Sequence, residues 1–490
     1  MHRYQLSMFN YFDNDKESMR KVDTAWLRME SPSNLMMITG MMFLDNLPEY
    51  HAFVEMVEKN FLSYRRFKQK AVINSTGTYW QDDEFFDIKG HIRRVALPGN
   101  ADYAELQDFV SDLASSPLDK SKPLWQFHIV ENYQEGPVLV SRIHHCYADG
   151  IALIQVLLSM TSASRERSLD LSPESNNKEY HRKLGMLKKV VNPAKKQFTN
   201  SLKLANQLKD IGVEALKNPA MIEKGVSEIA DIAGELFNAL TLPDDPPSIF
   251  KSRLSVRKNA AWAKSIELGK VKAVAYATGT TVNDVLISNL AGALREYMLK
   301  VGEDPNGMII NATVPVNLRP LEHAKNLGNH FGLVFLKLPI YEENPLRRLE
   351  FVHKEMNELK KSKQAIVSFG LLSAIGMAPA KVQNMLLDQF SQKATTVLTN
   401  VPGPQVPLYI SGAQVNKIMF WVPQNGTIGM GISILSYNGK VEFGLIVDKN
   451  LISDPENVIK EFPMQFDNLL DCLMMHPWDG EIHAEILEPS

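Results

Sequence analysis

Two adjacent histidines begin a seven-residue stretch whose residue types and spacing could support catalysis. The stretch is His144-His145-Cys146-Tyr147-Ala148-Asp149-Gly150, an H-H-x-x-x-D-G pattern. A neutral imidazole titrates close to neutral pH, so it can accept a proton from a hydroxyl group while that hydroxyl attacks an electrophile. The pattern therefore suggests general-base catalysis by one of the two histidines.

The residues on either side of this pattern predict a strand that leads into a helix. Residues 137–143 are rich in β-branched and aliphatic side chains, and residues 151–160 are mostly apolar with helical character. Successive side chains of a strand point to opposite faces, so His144 and His145 should point in opposite directions if the strand continues through both. Only one of them can then be the base.

The last two residues of the pattern stand where the predicted helix begins. Asp149 occupies the position of a helix N-cap, and Gly150 lacks a Cβ atom, so another group can approach it closely. A purely structural interpretation is therefore open on this pattern alone. In that interpretation Asp149 caps the helix, a histidine packs in the core, and no reaction takes place.

Further motifs follow the same chain from near its start almost to its C-terminus. They are residues 22–27 (VDTAWL), 86–87 with His91, 117–131, 281–286 (TVNDVL), 291–295, 314–320 (VPVNLRP), 328–329 and 399–404 (TNVPGP). Together with the histidine pattern, they resemble the bacterial wax ester synthase/diacylglycerol acyltransferase family. The histidine pattern alone is less specific, because nonribosomal peptide condensation domains and other relatives of chloramphenicol acetyltransferase share it.

The length of 490 residues and the resemblance together predict an α/β fold with two lobes. In the family, both lobes are chloramphenicol-acetyltransferase-like, and the active-site tunnel lies between them. We expect residues 1–164 to form the N-terminal lobe with the histidine pattern and residues 265–490 to form the C-terminal lobe. Residues 165–264 would be a helical crossover that joins the two lobes.

Carried over by position, the resemblance implies a role for each residue of the pattern. His145 would be the general base, and His144 would position it by packing or hydrogen bonding. Asp149 would be a structural residue, and the superfamily pattern implies Arg319 as its ion-pair partner, since a buried charge needs compensation. The alternative for Arg319 is an ordinary surface arginine before a proline turn.

Asn283 and Asp284 form a second candidate group at the start of a predicted helix. A developing oxyanion needs a preorganised donor, and Asn283 would supply it directly or by orienting the site. The alternative for Asn283 is helix N-capping. Asp284 would give structural support, and Gly150 of the histidine pattern would contribute to substrate binding.

The resemblance implies a fatty acyl-CoA donor and an acceptor that is either a long-chain alcohol or a diacylglycerol. The acyl group would pass directly from thioester to hydroxyl without an acyl-enzyme, and acyl-CoA would be a substrate, so no cofactor is expected. Three alternatives stay open: a condensation-type enzyme that forms an amide, an acyltransferase with another acceptor, and a catalytically silent lipid-binding module.

Composition limits the other classes of site and partner. The net charge of −3 provides no global basic field, which argues against a nucleic-acid partner. The histidines lack the clustered ligands that a zinc or iron site requires, so no metal is expected. The two cysteines, Cys146 and Cys472, suit a reducing compartment. In the resembled family Cys146 stands at a variable position, so we do not expect it to be a nucleophile.

No segment of the sequence predicts secretion or a membrane span. The N-terminus lacks a continuous apolar region, and apolar runs such as residues 35–44 are shorter than the about 20 residues that a spanning helix needs. We therefore expect a cytoplasmic protein. Residues 183–198 form a basic amphipathic stretch that could lie on the inner membrane face or on lipid inclusions, or pack as a solvated helix on the lobes.

Overall fold

The computed structural model describes residues 16–75, 77–170, 242–318, 327–362, 364–375 and 380–475. The strands of these ranges are, in chain order, β1 Lys16–Ser18, β2 Met37–Leu44, β3 Gln69–Asn74, β4 Gly77–Asp82, β5 Ile92–Val95, β6 Trp125–Val130, β7 Val138–His144, β8 Lys258–Trp262, β9 Ile266–Glu267, β10 Ile309–Asn317, β11 Phe331–Pro339, β12 Thr396–Pro402, β13 Leu408–Ile410, β14 Ala413–Trp421, β15 Met430–Tyr437 and β16 Lys440–Asp448.

The α-helices of the same ranges are α1 Lys21–Met29, α2 Tyr50–Met56, α3 Tyr103–Ser115, α4 Gly150–Ser159, α5 Arg165–Leu169, α6 Leu268–Ala277, α7 Val282–Lys300, α8 Pro345–Lys361, α9 Gln364–Ile375, α10 Ala380–Gln392 and α11 Glu456–Met475. Shorter turns of 3-10 or π-helix lie at Val57–Phe61, Arg65–Lys68 and Ile88–Gly90. None of the helices in the described ranges is both long enough and apolar enough to cross a bilayer.

Six strands form the sheet that carries the histidine pattern, in the order β13-β14-β2-β7-β6-β5. Strand β7 is antiparallel to both of its neighbours, β2 and β6, and all seven of its residues are buried. Val138 and Val140 belong to one apolar cluster, whereas Leu139 and Ile143 belong to the larger core. Burial of both faces explains why this strand is a continuous apolar run in the sequence instead of an alternating one.

Seven strands form the second large sheet, in the order β11-β10-β12-β15-β16-β8 with β9 paired to β16. Helices α7 and α11 pack against each other, and their apolar side chains join those of the strands in a second core. A small third sheet contains β1, β4 and β3. The prediction of a mixed α/β fold is confirmed.

Membership of the two large sheets does not follow the two halves of the chain. Strand β14, from late in the sequence, pairs antiparallel with β2, from Val415 opposite Leu44 to Trp421 opposite Thr39. Strand β8 lies within the expected linker, yet it pairs with β16 of the second sheet. Most of that linker, including the basic stretch at residues 183–198, lies outside the described residues. The lobe boundaries therefore stay predictions.

Candidate active site

The histidine pattern lies at the corner between strand β7 and helix α4, close to the strand and helix bounds that the sequence predicts. Asp149 is the N-cap of α4, because its Oδ1 accepts a hydrogen bond from the backbone N–H of Ala152 at 2.9 Å. Its Oδ2 accepts a second one from the backbone N–H of His330 at 3.0 Å. Asp149 thus ties the corner to a segment from the other half of the chain. Arg319, its expected partner, lies outside the described residues.

Backbone contacts also connect the histidine pattern to the second half of the chain. The peptide of Ala148 bridges to Gly328, whose φ of +106° is one that residues with a side chain rarely adopt. The next residue, Asn329, donates from Nδ2 to the backbone oxygen of His145 at 3.0 Å. The position of His145 therefore depends on both halves of the molecule.

The imidazole of His145 is buried in an aromatic environment, with only 5% of the residue exposed. Its ring stacks on the Trp26 indole with 4.1 Å between centroids and an interplanar angle of 22°, and Phe331 lies 5.7 Å away. Among the described residues, its Nδ1 atom has no hydrogen-bond partner. Burial lowers the pKa of His145 to about 4, although the charge of Asp149 partly opposes this. The ring is therefore neutral at pH 7 and able to accept a proton.

His144 has a polar environment instead. Its Nε2 lies 3.1 Å from Oε2 of Glu30, and its Nδ1 accepts a hydrogen bond from the backbone N–H of Cys146 at 3.1 Å. Burial disfavours the charge of Glu30, but His144 and Lys120 outweigh burial and lower the pKa of this carboxyl to about 2. The two adjacent histidines thus have different partners. Strand β7 ends at His144, so the alternation expected for a strand running through both histidines does not apply to His145.

His145 contributes to a cavity of about 870 Å³, counting the space open to solvent, which we call the catalytic cavity. Residues of both halves line it, with aromatic, aliphatic, threonine and asparagine side chains: Trp26, His145, Asp149, Gly150, Thr313, Pro315, Asn317, Phe331, Leu333, Phe390, Val397, Thr399, Asn400, Val401, Val422, Pro423 and Asn425. The Thr399 hydroxyl is buried and has no hydrogen-bond partner among the described residues. Thr399 itself is one of the residues that line this cavity.

A second cavity, of about 740 Å³ counting the space open to solvent, lies between α4 and the first sheet, and we call it the apolar cavity. Nearly all of its lining side chains are apolar, and they include Met41, Leu157 and Met419. Gly150 lines both cavities, and a Cβ atom built on it would meet nothing within 4 Å. The two cavities therefore approach each other at Gly150.

Asn283 and Asp284 lie at the start of α7, but the capping alternative for Asn283 is wrong. The N-cap is Thr281, whose hydroxyl accepts from the N–H of Asp284 at 3.2 Å, while Asp284 accepts from the N–H of Thr281 at 2.9 Å. Asn283 instead accepts from Nδ2 of Asn400 at 2.5 Å. Asn400 lines the catalytic cavity and Asn283 does not, so Asn283 reaches the cavity only through its partner.

Asp284 is fully buried and contacts Nδ1 of His353 at 2.7 Å. Its contacts belong to the start of α7 and to α8, away from the catalytic cavity. The support role that the sequence suggested for Asp284 stays a prediction.

The remaining candidate groups have structural surroundings. Cys146 is buried, burial raises the pKa of its thiol well above the usual value, and it does not line the catalytic cavity. His91 stacks on Trp125, and its Nδ1 lies 2.7 Å from the backbone oxygen of that residue. The described part of the chain holds no group of three or more histidine, cysteine or acidic residues suited to a metal ion.

Sequence reasoning missed four residues of this site. Trp26, Asn329 and Thr399 belong to motifs that carry the family resemblance, but these motifs do not by themselves indicate a role for them. Glu30 belongs to none of the motifs. A motif signal existed for the first three, whereas the contact of Glu30 with His144 joins residues 114 positions apart and leaves no local pattern.

Comparison with known proteins gives a consistent set of matches. A family model for the wax ester synthase/diacylglycerol acyltransferase catalytic domain matches residues 19–286, and one for the C-terminal domain of the same family matches residues 327–470. The O-acyltransferase WSD of Acinetobacter baylyi is 26% identical over 463 residues, which cover 90% of this chain and 94% of that protein.

A Mycobacterium tuberculosis protein named as a probable diacylglycerol O-acyltransferase is also 26% identical, over 83% of this chain and 85% of that protein. Among solved structures, the wax ester synthase/diacylglycerol acyltransferase from Marinobacter aquaeolei VT8 superposes with a TM-score of 0.66. That match has 21% identity and covers 94% of this chain and all of the other. It confirms the fold.

Proposed function

This chain belongs to the wax ester synthase/diacylglycerol acyltransferase family and is an O-acyltransferase, and on that basis we propose its reaction. A fatty acyl group passes from acyl-CoA to a long-chain alcohol, which gives a wax ester, or to a diacylglycerol, which gives triacylglycerol. The observation that carries this proposal is a buried, neutral imidazole in a cavity that shares a lining residue, Gly150, with a second, almost wholly apolar cavity.

The apolar cavity suits a lipid substrate because it offers methionine, leucine and isoleucine side chains and few hydrogen-bonding groups. Each CH₂ group that leaves water contributes about 0.8 kcal/mol, so a long aliphatic chain would bind there strongly. With the aliphatic chain in the apolar cavity, the polar end of the substrate would lie on the other side of Gly150, in the catalytic cavity. This places the reacting carbonyl near His145.

The reaction follows from the neutral state of His145. The imidazole accepts the proton of the acceptor hydroxyl while the hydroxyl oxygen attacks the thioester carbonyl, and the new C–O bond forms. The C–S bond of the tetrahedral intermediate then breaks, and the leaving thiolate takes the proton from the imidazolium. Ester and free CoA result without an acyl-enzyme, so acyl-CoA is a substrate and the reaction needs no cofactor.

The oxyanion of that intermediate requires a donor within the catalytic cavity. The Thr399 hydroxyl has no hydrogen-bond partner among the described residues, and Thr399 lines this cavity. The amide of Asn400 lies in the same wall and is held by Asn283. We assign the donor role to Thr399 and an orienting role, through Asn400, to Asn283.

The substrates also bear on where the enzyme works. Long-chain alcohols and diacylglycerols partition into membranes and lipid inclusions, so we propose peripheral association with such a surface. Flotation of the protein with vesicles of anionic phospholipid, with and without diacylglycerol, tests this. Absence of the protein from the vesicle fraction in both cases would contradict it.

The test of the reaction itself uses purified protein, palmitoyl-CoA and either hexadecanol or dioleoylglycerol. Thiol release and the lipid products are measured together, with a control that lacks acceptor to separate hydrolysis from transfer. We expect thiol release that depends on acceptor, with one ester formed per CoA. Thiol release at the same rate without acceptor, or no ester with either acceptor, would overturn the proposal.

A further inference from the structure

Helix α1 and the residue that follows it contact both histidines of the pattern. Asp23 and Trp26 lie three residues apart on this helix, a spacing that places them on one face, and Glu30 follows its last residue. Trp26 stacks on the ring of His145, and Glu30 contacts His144. One short segment near the N-terminus therefore contacts both His144 and His145, which are far from it in the sequence.

The contact of Glu30 defines which nitrogen of His144 carries the proton. The backbone N–H of Cys146 donates to Nδ1 at 3.1 Å, so Nδ1 is an acceptor. The proton is then on Nε2, which lies 3.1 Å from Oε2 of Glu30 and donates to it. The ring of His144 thus connects a carboxylate to the peptide N–H that directly follows His145.

Glu30 is itself well held. Its side chain is 8% exposed, and its other oxygen, Oε1, lies 2.8 Å from Nζ of Lys120. Because its pKa is about 2, the carboxylate is charged at any pH near neutrality and always accepts from His144. An acceptor that is charged and mostly buried fixes the ring orientation more firmly than water would.

The backbone around His145 is fixed on three sides. Its own N–H donates to the backbone oxygen of Met36 at 2.7 Å, and its oxygen accepts from Asn329. Asn329 is in turn held by Oδ1 of Asp23, at 2.8 Å from Nδ2 and 3.1 Å from the backbone nitrogen. The third side is the N–H of Cys146, which His144 holds. Loss of that third contact would free one end of the His145 peptide.

We propose that Glu30 is a positioning residue for acyl transfer, which acts by fixing His144 and, through it, the peptide that places the His145 imidazole. The proposal rests on the proposed function, because His145 is the base of that reaction. Glu30 does not line the catalytic cavity. Its removal should therefore slow the chemical step and leave substrate binding unchanged.

Three variants at one position test the hydrogen bond. Glu30→Gln keeps an oxygen acceptor and should retain kcat within about threefold of the unmodified enzyme. Glu30→Ala removes the acceptor, and a base displaced by about 1 Å should lower kcat by about 10²-fold with KM unchanged for palmitoyl-CoA and hexadecanol. Glu30→Asp keeps the charge but shortens the side chain, and we expect an intermediate kcat.

The matched control is Glu131→Ala, which removes a partly exposed carboxylate that pairs with Arg94 of β5 and lines neither cavity. It should keep the full kcat. Thermal unfolding of every variant shows whether it is folded. If Glu30→Ala is not folded, Glu30→Asp takes its place in the comparison of kcat.

Full kcat in folded Glu30→Ala or in Glu30→Asp would overturn the proposal, and so would equal losses in the Gln and Ala variants. A rise of KM at constant kcat would also overturn it. An unmodified enzyme that forms no ester would instead refute the proposed function, and this is measured before any variant.

Discussion

The catalytic cavity and the apolar cavity share Gly150 but have different linings. His145, Asp149, two threonines and three asparagines line the first, whereas Ser141 is the one polar side chain among the described residues that line the second. The groups that can exchange protons or donate hydrogen bonds are therefore separated from the groups that can hold an aliphatic chain. Rate and chain-length preference should respond to different substitutions.

The largest effect should come from His145→Ala, which removes the base from the catalytic cavity. We expect ester formation from palmitoyl-CoA to fall by about 10³-fold, within the range for loss of a general base. The assay is acceptor-dependent thiol release with analysis of the lipid products. The control is His128→Gln, because His128 is also a buried histidine whose pKa burial lowers to about 4, but it lines neither cavity. Similar losses in both variants would mean that the site has been misplaced.

A smaller loss of kcat is expected when Thr399, in the wall of the catalytic cavity, is substituted. Thr399→Val removes the unpartnered hydroxyl at nearly constant volume, and loss of one oxyanion donor costs about 10²-fold in kcat. Thr399→Ser keeps the hydroxyl and should keep most of the rate. A valine variant as active as the serine variant would exclude Thr399 as the donor.

Substitution of Gly150 probes the junction itself. In Gly150→Val the added side chain enters open space at a residue that lines both cavities, so activity with palmitoyl-CoA should fall by about tenfold, while activity with butyryl-CoA stays close to normal. The measurement is kcat/KM across acyl-CoA chain lengths. An equal loss for short and long chains would show that the acyl chain does not pass Gly150.

The smallest effect concerns pH. Only the catalytic cavity holds titratable groups among the described residues that line the two, so chain-length preference should not change with pH. The base must be neutral, and its pKa of about 4 means that kcat/KM stays nearly constant from pH 8 down to pH 5.5 and then falls toward pH 4. An ordinary imidazole, with a pKa near 6.5, would already have lost about nine tenths of the rate at pH 5.5. A half-maximal rate near pH 6.5 would contradict the burial of His145.

The lowered pKa of His145 also makes the stability of the fold depend on pH. The unfolded chain binds a proton at His145 below about pH 6.5, whereas the folded chain resists it down to about pH 4, so this residue contributes stability that is lost as the pH falls through that interval. Glu30, whose pKa is lowered from 4.5 to about 2 in the folded chain, contributes stability that is lost as the pH falls from about 4.5 to about 2.

Much of the site can be predicted from the sequence because it depends on residues that are close together in the chain. A run of aliphatic residues predicts β7, and the position of Asp149 predicts a cap. Strand alternation does not account for the two histidines, because β7 ends at His144. The error at Asn283 is also local in origin. Threonine and asparagine both cap helices well, and the T-x-x-D spacing from Thr281 to Asp284 is what favours Thr281.

The contacts of the two histidines cannot be predicted in this way. Glu30, Trp26 and Asn329 reach them from other segments of the chain, and such contacts depend on how sheets and helices pack rather than on periodicity. The place of β14 in the first sheet is a further example, because no local signal connects Trp421 to Thr39.

That pairing also affects how the protein is made. Strand β2 leaves the ribosome early, but β14, its neighbour in the sheet, is synthesised only after nearly all of the chain between them. At about 5–20 residues per second, the nascent chain waits on the order of half a minute with this edge unpaired. Open strand edges promote aggregation, so we expect the N-terminal half to be more prone to aggregation during translation than after β14 has paired with β2.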